Sequence, residues 1–315
     1  MDNRELTREG YARVADLVDY LRGIKVDGVT VAISMLIPII RERAPEIPVS
    51  VSSLANIDTL DKARQFERMG VQGLTLYEDH NRNFALLKRF RRHLTCDLRL
   101  IATNSCRLSC RNRVSHANAN AHASQAGHAS NGFLLDWPIL ECVGARLASP
   151  VELLKATWIR PEDLHRYEEI GFEHFKLTER FKTTERLLET VAAYRARRFD
   201  GNLLRLTGTY AEASSLPPNF ELLHRAGMDQ DERCAASGPL FGALGHVIVD
   251  NRALDGFIDH FVRNSPDCPN LVCGEECRYC FGWVERAVRL DGEVPGLSRA
   301  FGEFFARLAH GPDGA

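Results

Sequence analysis

The feature that most constrains the fold is a series of short apolar runs that recur at nearly regular spacing. Four runs begin at residues 28, 48, 73 and 98, so successive starts are 20 to 25 residues apart. Stretches with helical periodicity separate them. The runs are continuously apolar rather than alternating, which is typical of parallel strands that are covered on both faces. The pattern therefore predicts repeated βα units around a parallel sheet.

The pattern resumes in the second half of the chain. Further strand candidates are 156–159 and 174–177, with weaker ones at 133–135 and 203–206. Together with the first four they make eight, which predicts an α/β fold of the (β/α)8 TIM-like barrel type. An open doubly wound sheet is the alternative, although no GxGxxG motif follows an early strand. We assign the barrel domain to residues 1–210 and a Cys-rich C-terminal extension to residues 211–315.

The composition excludes several classes of protein. The 315 residues carry a net charge of -2, so no global basic excess indicates nucleic-acid binding. The longest apolar run, Gly28–Ile40, has 13 residues, whereas a membrane-spanning helix needs about 20. The polar start Met1–Glu5 has no apolar stretch behind it and does not read as a secretory signal. We therefore expect a cytoplasmic protein, in which nine cysteines favour metal or cluster ligation over disulfides.

A first group of cysteines follows the fourth predicted strand. Cys106 and Cys110 are separated by three residues, and Cys142 comes after the candidate strand at 133–135. Thiolates at such spacing can hold an iron–sulfur cluster or a zinc ion. The alternative is that they are buried, inert thiols, because cysteine is among the most buried residue types.

A second group lies near the end of the chain. Its pattern is Cys268-x4-Cys273-x3-Cys277-x2-Cys280. Four thiols in so short a segment predict a tetrahedral zinc site or a second cluster. The last three also match the CxxxCxxC loop of radical S-adenosylmethionine enzymes, but that loop belongs after the first strand of a barrel. An amphipathic helix around Phe301 follows the group.

Other candidate site residues lie where strands end or in polar loops. Glu78 follows the third run, and Arg160 follows the run at 156–159. The carboxyl ends of parallel strands carry the functional loops in βα folds. His116 and His122 lie in a small, polar, Ala-rich segment close to Cys110. We predict that these four residues position substrate, although an incidental solvated segment explains the histidines equally well.

Several stretches resemble the peptidase U32 family, also called collagenase-like proteases. They are residues 49–56, 63–71, 74–78 and the strand that leads into Cys106, and the likeness spans about residues 25–210. The resemblance implies a (β/α) barrel. Several members bind a [4Fe–4S] cluster and support oxygen-independent hydroxylation in ubiquinone biosynthesis or on RNA bases, while peptidase activity is ascribed to others.

The chain departs from the family pattern in three places. Leu98 and Ala102 stand where the family signature has Glu and His, and three residues rather than six separate Cys106 from Cys110. The implied cluster ligation therefore transfers to Cys106, and by reinterpretation to Cys110 and Cys142. The chain also opens in a helix where relatives have one or two βα units, so we expect a truncated start or a different barrel closure.

The function predicted from these observations is that of an iron–sulfur enzyme of the U32 type. It would carry out oxygen-independent hydroxylation or related redox chemistry on a small molecule, a peptide or RNA, with an electron donor or a related U32 protein as partner. The first alternative is a U32-type peptidase. The second is a non-catalytic accessory protein that carries a cluster or zinc.

Overall fold

The computed structural model describes residues 7–123, 137–178, 182–208, 240 and 242–310. The helices are α1 (Arg8–Gly23), α2 (Leu36–Arg43), α3 (Leu60–Arg68), α4 (Phe84–His93), α5 (Arg113–Ala123), α6 (Trp137–Ala148), α7 (Val151–Lys155), α8 (Leu164–Glu168), α9 (Thr184–Ala196), α10 (Asp259–Asn264), α11 (Tyr279–Ala287) and α12 (Val294–His310). The strands are β1 (Val29–Val31), β2 (Val49–Val51), β3 (Gly73–Thr75), β4 (Asp97–Ile101), β5 (His174–Lys176), β6 (Val247–Val249) and β7 (Val288–Leu290).

The first five strands form one parallel sheet in the order β1-β2-β3-β4-β5. Each strand pairs with the one before it, and helices cross between them, as the repeated apolar runs predict. This consecutive order differs from the doubly wound alternative, in which the strand order reverses at a switch point. It is consistent with a TIM-like fold. In the described part of the chain β1 and β5 are edge strands, so the sheet is not seen to close.

Burial and end signals explain why these segments form these elements. All residues of β2 and β3 are buried, as expected for strands with helices on both faces. Side chains cap the following helices: the Thr59 hydroxyl accepts from the amide of Lys62, and Asn83 accepts from that of Leu86. Gly70 follows α3 with a φ of 79°, a conformation that favours glycine.

Among the described residues, two of the eight predicted strands do not form strands. The prediction at 203–206 is wrong, because Leu203–Leu206 forms a 3-10 helix whose leucines are buried in the core. The segment 156–159 is extended and its Ile159 amide bonds the carbonyl of Ala102, but it forms no strand, and β5 pairs with β4 instead. A short apolar run does not distinguish a buried strand from a buried turn. The candidate at 133–135 lies outside the described residues.

The later part of the chain packs against the parallel sheet unit. Strands β6 and β7 form an antiparallel pair, and the side-chain amide of Asn202 donates to the carbonyl of Val247. The predicted amphipathic helix is α12, which lies on α6 and buries Phe301 and Phe304. The boundary at residue 210 stays a prediction. Among the described residues no helix has the length and apolar character needed to cross a membrane.

The contact between α6 and α12 makes a stability prediction. A Cβ atom built at Gly144 would lie 3.1 Å from the Cδ1 atom of Phe301. We expect Gly144→Val to lower the free energy of unfolding by about 1–3 kcal/mol, because overpacking displaces the ring. Gly302→Ala, in open space on α12, should instead raise it by up to about 1 kcal/mol. Urea denaturation measures both, and equal effects would contradict the packing.

Candidate functional site

Two buried carboxylates stand directly after β3, at the edge of the sheet where the strands end. Glu78 and Asp79 lie in a short 3-10 helix and are 4% and 6% exposed. Arg113 binds both of them: its Nη1 is 3.1 Å from Glu78 Oε2, and its Nη2 is 2.8 Å from Asp79 Oδ1. The same guanidinium lies over the ring of Tyr77, 4.9 Å from the centroid. The two carboxylates thus share one guanidinium as counter-charge, which offsets part of the cost of burying them.

This acidic pair anchors the loop that carries Cys106 and Cys110. The side-chain amide of Asn104 donates to Glu78 over 2.9 Å, and its oxygen accepts from the backbone amide of Cys106. Further along, the backbone amide of Ser109 donates to Asp79 over 3.0 Å. Both ends of the loop are therefore attached to the end of β3. Glu78, predicted to position substrate, is found as a structural anchor of the cysteine loop that also lines a pocket.

Cys142 approaches the loop from α6 and has an arginine beside it. The Nη1 atom of Arg146, one helical turn later, donates to Cys142 Sγ over 3.0 Å, and its Nη2 donates to the carbonyl of Ser105. Arg146 is 1% exposed. Burial raises the pKa of the Cys142 thiol, and Arg146 opposes that shift. Burial likewise raises the pKa of Cys106 to about 11. Arg113 and Arg146 oppose this shift, and Cys142 adds to it.

Two members of the predicted first cysteine group, Cys106 and Cys142, thus lie near one buried guanidinium. The charge of Cys142 also acts on Cys106, and that of Cys110 acts on Cys142, as expected for neighbouring thiols. The loop gains two more links through Arg107, which pairs with Glu141 at 3.1 Å and with Glu152 at 2.9 Å.

A pocket opens between the acidic pair and the second cysteine group. It encloses about 570 Å³, including its open mouth. Its walls include two carboxylates, two cations and all four C-terminal cysteines; they are Glu78, Asp79, Arg82, Lys155, Cys268, Cys273, Cys277 and Cys280. All four cysteines of the predicted second group therefore line the same pocket. In the described part of the chain, however, no three His, Cys, Asp or Glu side chains are close enough together to hold a metal ion, so ligation at either group stays a prediction.

The other predicted substrate-positioning residues lie elsewhere. His116 is on α5 and partly buried, and nothing is described of the side chain of His122. Arg160 is fully buried and its Nη2 is 2.6 Å from Asp255, so it joins the sheet unit to the later part of the chain and does not line the pocket. Sequence patterns missed Arg82, which does line the pocket, because its neighbours are distant in sequence.

Removing Arg113 tests the anchor. We expect Arg113→Met to lower the free energy of unfolding by about 3–5 kcal/mol, because two buried carboxylates lose their counter-charge. The exposed Arg111 of the same loop provides the control, and Arg111→Met should change stability by less than about 0.5 kcal/mol. Urea unfolding at neutral pH measures both. A small effect for Arg113→Met would show that the loop has other support.

The buried network around Arg160 predicts a pH dependence. Burial raises the pKa of Asp163 from 3.8 to about 6, although Arg160 opposes the shift. The folded state binds the Asp163 proton more tightly than the unfolded state does. Protonation of Asp163 therefore adds to the free energy of unfolding, fully below about pH 4, and this contribution is lost as the pH rises through about 6. Between pH 4 and 7, the free energy of unfolding of Asp163→Asn should therefore rise by about 3 kcal/mol relative to that of the parent. Urea unfolding of both proteins across this pH range measures the change, and a difference that does not vary with pH would contradict the prediction.

Comparison with known proteins points to one family. The model of Peptidase family U32 matches residues 3–81. The uncharacterized protease MJ1657 of Methanocaldococcus jannaschii is 27% identical over 285 residues, which are 90% of this chain and 73% of that protein. The solved structure of the U32 peptidase Mk0906 is 26% identical with a TM-score of 0.39, and the match covers 54% of this chain and 62% of that one. The predicted resemblance to the U32 family is thereby confirmed.

Proposed function

Because the chain is related to the U32 family, we propose that it is an iron–sulfur enzyme of the U32 type. Cys106, Cys110 and Cys142 would hold a [4Fe–4S] cluster. Three thiolates leave one iron of such a cluster open to another ligand, as a catalytic cluster requires. The reaction class is oxygen-independent hydroxylation or related redox chemistry on a small molecule, a peptide or RNA.

The observation that carries the proposal is that Arg146 donates to Cys142 Sγ and also acts on the pKa of Cys106, so two of the three thiols lie near one buried guanidinium. Cys106 and Cys110 come from the loop after β4, and Cys142 comes from α6. The hydrogen bond from Arg146 to Cys142 Sγ stabilises the thiolate over the thiol, and thiolate is the form that binds iron. The donor set therefore fits a cluster by its chemistry, although ligation requires the sulfur atoms to draw closer together.

The remaining residues would have positioning roles. Arg113 and the two carboxylates fix the loop that presents Cys106 and Cys110. Glu78 and Asp79 also line the pocket, where their polar oxygens can orient a bound substrate. Burial raises the pKa of Asp79, so this carboxyl holds a proton more readily than an exposed aspartate. The cluster itself would supply electron transfer at the edge of the pocket.

The proposal also implies a setting for the protein. Redox chemistry needs a source of electrons, so we expect an electron donor or a related U32 protein as partner. All the described cysteines are free thiols. The reducing cytoplasm expected from the sequence would keep them so. The consecutive strand order supports placing the cysteine loop at the carboxyl end of a βα barrel, where such folds carry their active sites.

A U32-type peptidase is the second candidate, favoured by the name of the archaeal relative, a protease. The paired carboxylates Glu78 and Asp79 provide acid–base groups in the pocket that such a reaction would use. A non-catalytic accessory protein would share the cluster but have no substrate. Incubation of purified protein with labelled gelatin and casein separates the peptidase, which would cleave them, from the other two candidates, which would not.

Iron content tests the primary proposal. After anaerobic purification we expect the parent protein to contain iron and acid-labile sulfide and to absorb visible light as clusters do. Cys106→Ala, Cys110→Ala and Cys142→Ala should each lose most of the iron assigned to this site, because each removes one of three ligands. Cys96→Ala is the control, since Cys96 is buried away from this group beside Glu67. If the three variants keep the iron of the parent, the cysteine loop is structural and the proposal is wrong.

A further inference from the structure

A second site is indicated by the four C-terminal cysteines, called here the tetracysteine site: Cys268, Cys273, Cys277 and Cys280. We propose that it binds its own metal centre through four thiolates, as a zinc ion or an iron–sulfur cluster, and that Arg82 balances the negative charge of that centre. This site is separate from the loop cysteines and does not depend on the function proposed for them.

The four cysteines share one pocket, although no three of their side chains are close enough together here to hold a metal ion. The amide of Gly274 donates to the carbonyl of Cys277 over 2.9 Å, and Cys273 and Cys277 form an isolated bridge between their backbones. Gly274 has a φ of 103°, which allows the tight return of the chain. Cys280 then lies in the first turn of α11. Tight turns that present thiols in this way are common at zinc and cluster sites.

The segment is held only by partly buried contacts. Tyr279 stacks on Phe257 and donates to its carbonyl, and Cys268 and Cys280 pack against the core. Every residue from 262 to 280 is described, and none of them is buried. A stretch without a core of its own usually needs a crosslink or a metal to keep one conformation. Metal binding would supply that free energy, because ligation and local folding are linked. The cysteines are thus placed where a metal would contribute most to order.

Arg82 is an independent indication that a negatively charged group binds beside these thiols. It is only 7% exposed and lines the same pocket. Its guanidinium lies 4.4 Å from the ring centroid of Trp158, and Nη1 donates to the carbonyl of Leu154 over 2.6 Å. Its Nε and Nη2 atoms are buried without an acceptor among the described residues. Burying such donors unpaired is costly, by about 1–3 kcal/mol or more for a charged group.

Thiolates bound to metal are the acceptor that fits these donors. A neutral thiol accepts hydrogen bonds only weakly. Four thiolates around a divalent zinc ion, or around an oxidised cluster, leave a net negative charge on the centre. A neighbouring guanidinium compensates that charge and donates N–H groups to sulfur, as outer-shell partners do at other metal sites. The charge and the donors of Arg82 therefore match the metal-bound state of the tetracysteine site better than the metal-free state.

The first experiment measures zinc, iron and acid-labile sulfide per chain after anaerobic purification. Cys277→Ser and Cys280→Ser should lose one centre, whereas Cys106→Ala should retain it. Cys96→Ser is the control for loss of a buried cysteine outside both groups. Zinc without sulfide identifies a zinc site, and sulfide in proportion to iron identifies a cluster. If Cys277→Ser has the metal content of the parent, the proposal is overturned, whatever Cys106→Ala shows.

The role of Arg82 has its own measurement. Arg82→Gln removes the charge and should weaken metal retention in a chelator competition about 10- to 100-fold. Arg82→Lys restores the charge and should recover part of that loss. If Arg82 were purely structural, both variants would change the thermal midpoint of the metal-free protein but would retain metal as well as the parent does. That result would refute the assignment.

A last measurement uses the unaltered protein, so it does not depend on variants that fold. Limited proteolysis is followed before and after treatment with a strong chelator, and again after zinc or iron with sulfide is restored. We expect the chelator to expose cleavage sites between residues 265 and 278 while the sheet unit resists, and the restored metal to protect them. Cleavage that is unchanged by the chelator would overturn the proposal.

Discussion

The double ion pair of Arg113 with Glu78 and Asp79 is the interaction on which the rest of the site depends. It places three charged groups in a nearly dry environment, where each carboxylate is tolerated only because the guanidinium is shared between them. The carboxylates in turn accept from Asn104 and from the amide of Ser109. The ion pairs and hydrogen bonds of Glu78 and Asp79 at the end of β3 thereby fix the path of the loop after β4.

The same arrangement brings the two cysteine groups to one region of the molecule. The acidic pair anchors the loop group and forms one wall of the pocket, and the tetracysteine site lines the same pocket. The chain reaches this point twice, once through the loop after β4 and once about 160 residues later. The contact is stabilised elsewhere by long-range pairs such as Arg160 with Asp255 and Arg166 with Asp259. Arg160, expected at the substrate, is thus explained by the need to join the two parts of the chain.

Sequence patterns predict what depends on neighbours along the chain. The apolar runs located the five strands of the parallel sheet, and cysteine spacing indicated both thiol groups. The patterns failed where tertiary packing decides. Leu203–Leu206 has the composition of a strand, yet its leucines are buried equally well by a 3-10 turn. No local pattern shows that Arg113 pairs with carboxylates more than thirty residues earlier, because a charged residue looks alike at a surface and at a buried site.

Two buried arginines and one partly buried arginine lie beside the thiols. Arg113 and Arg146 flank the loop group, and Arg82 lies beside the tetracysteine site. Burial by itself favours neutral thiols, as the pKa of about 12 for Cys280 illustrates. Arginine stays charged even when buried and offers several donors in a fixed plane, whereas lysine readily loses its charge in such a place. Stacking on Trp158 lets Arg82 stay buried while its Nε and Nη2 atoms have no acceptor among the described residues. A chain that only needed inert, buried thiols would have no reason to bury a permanent cation beside each group.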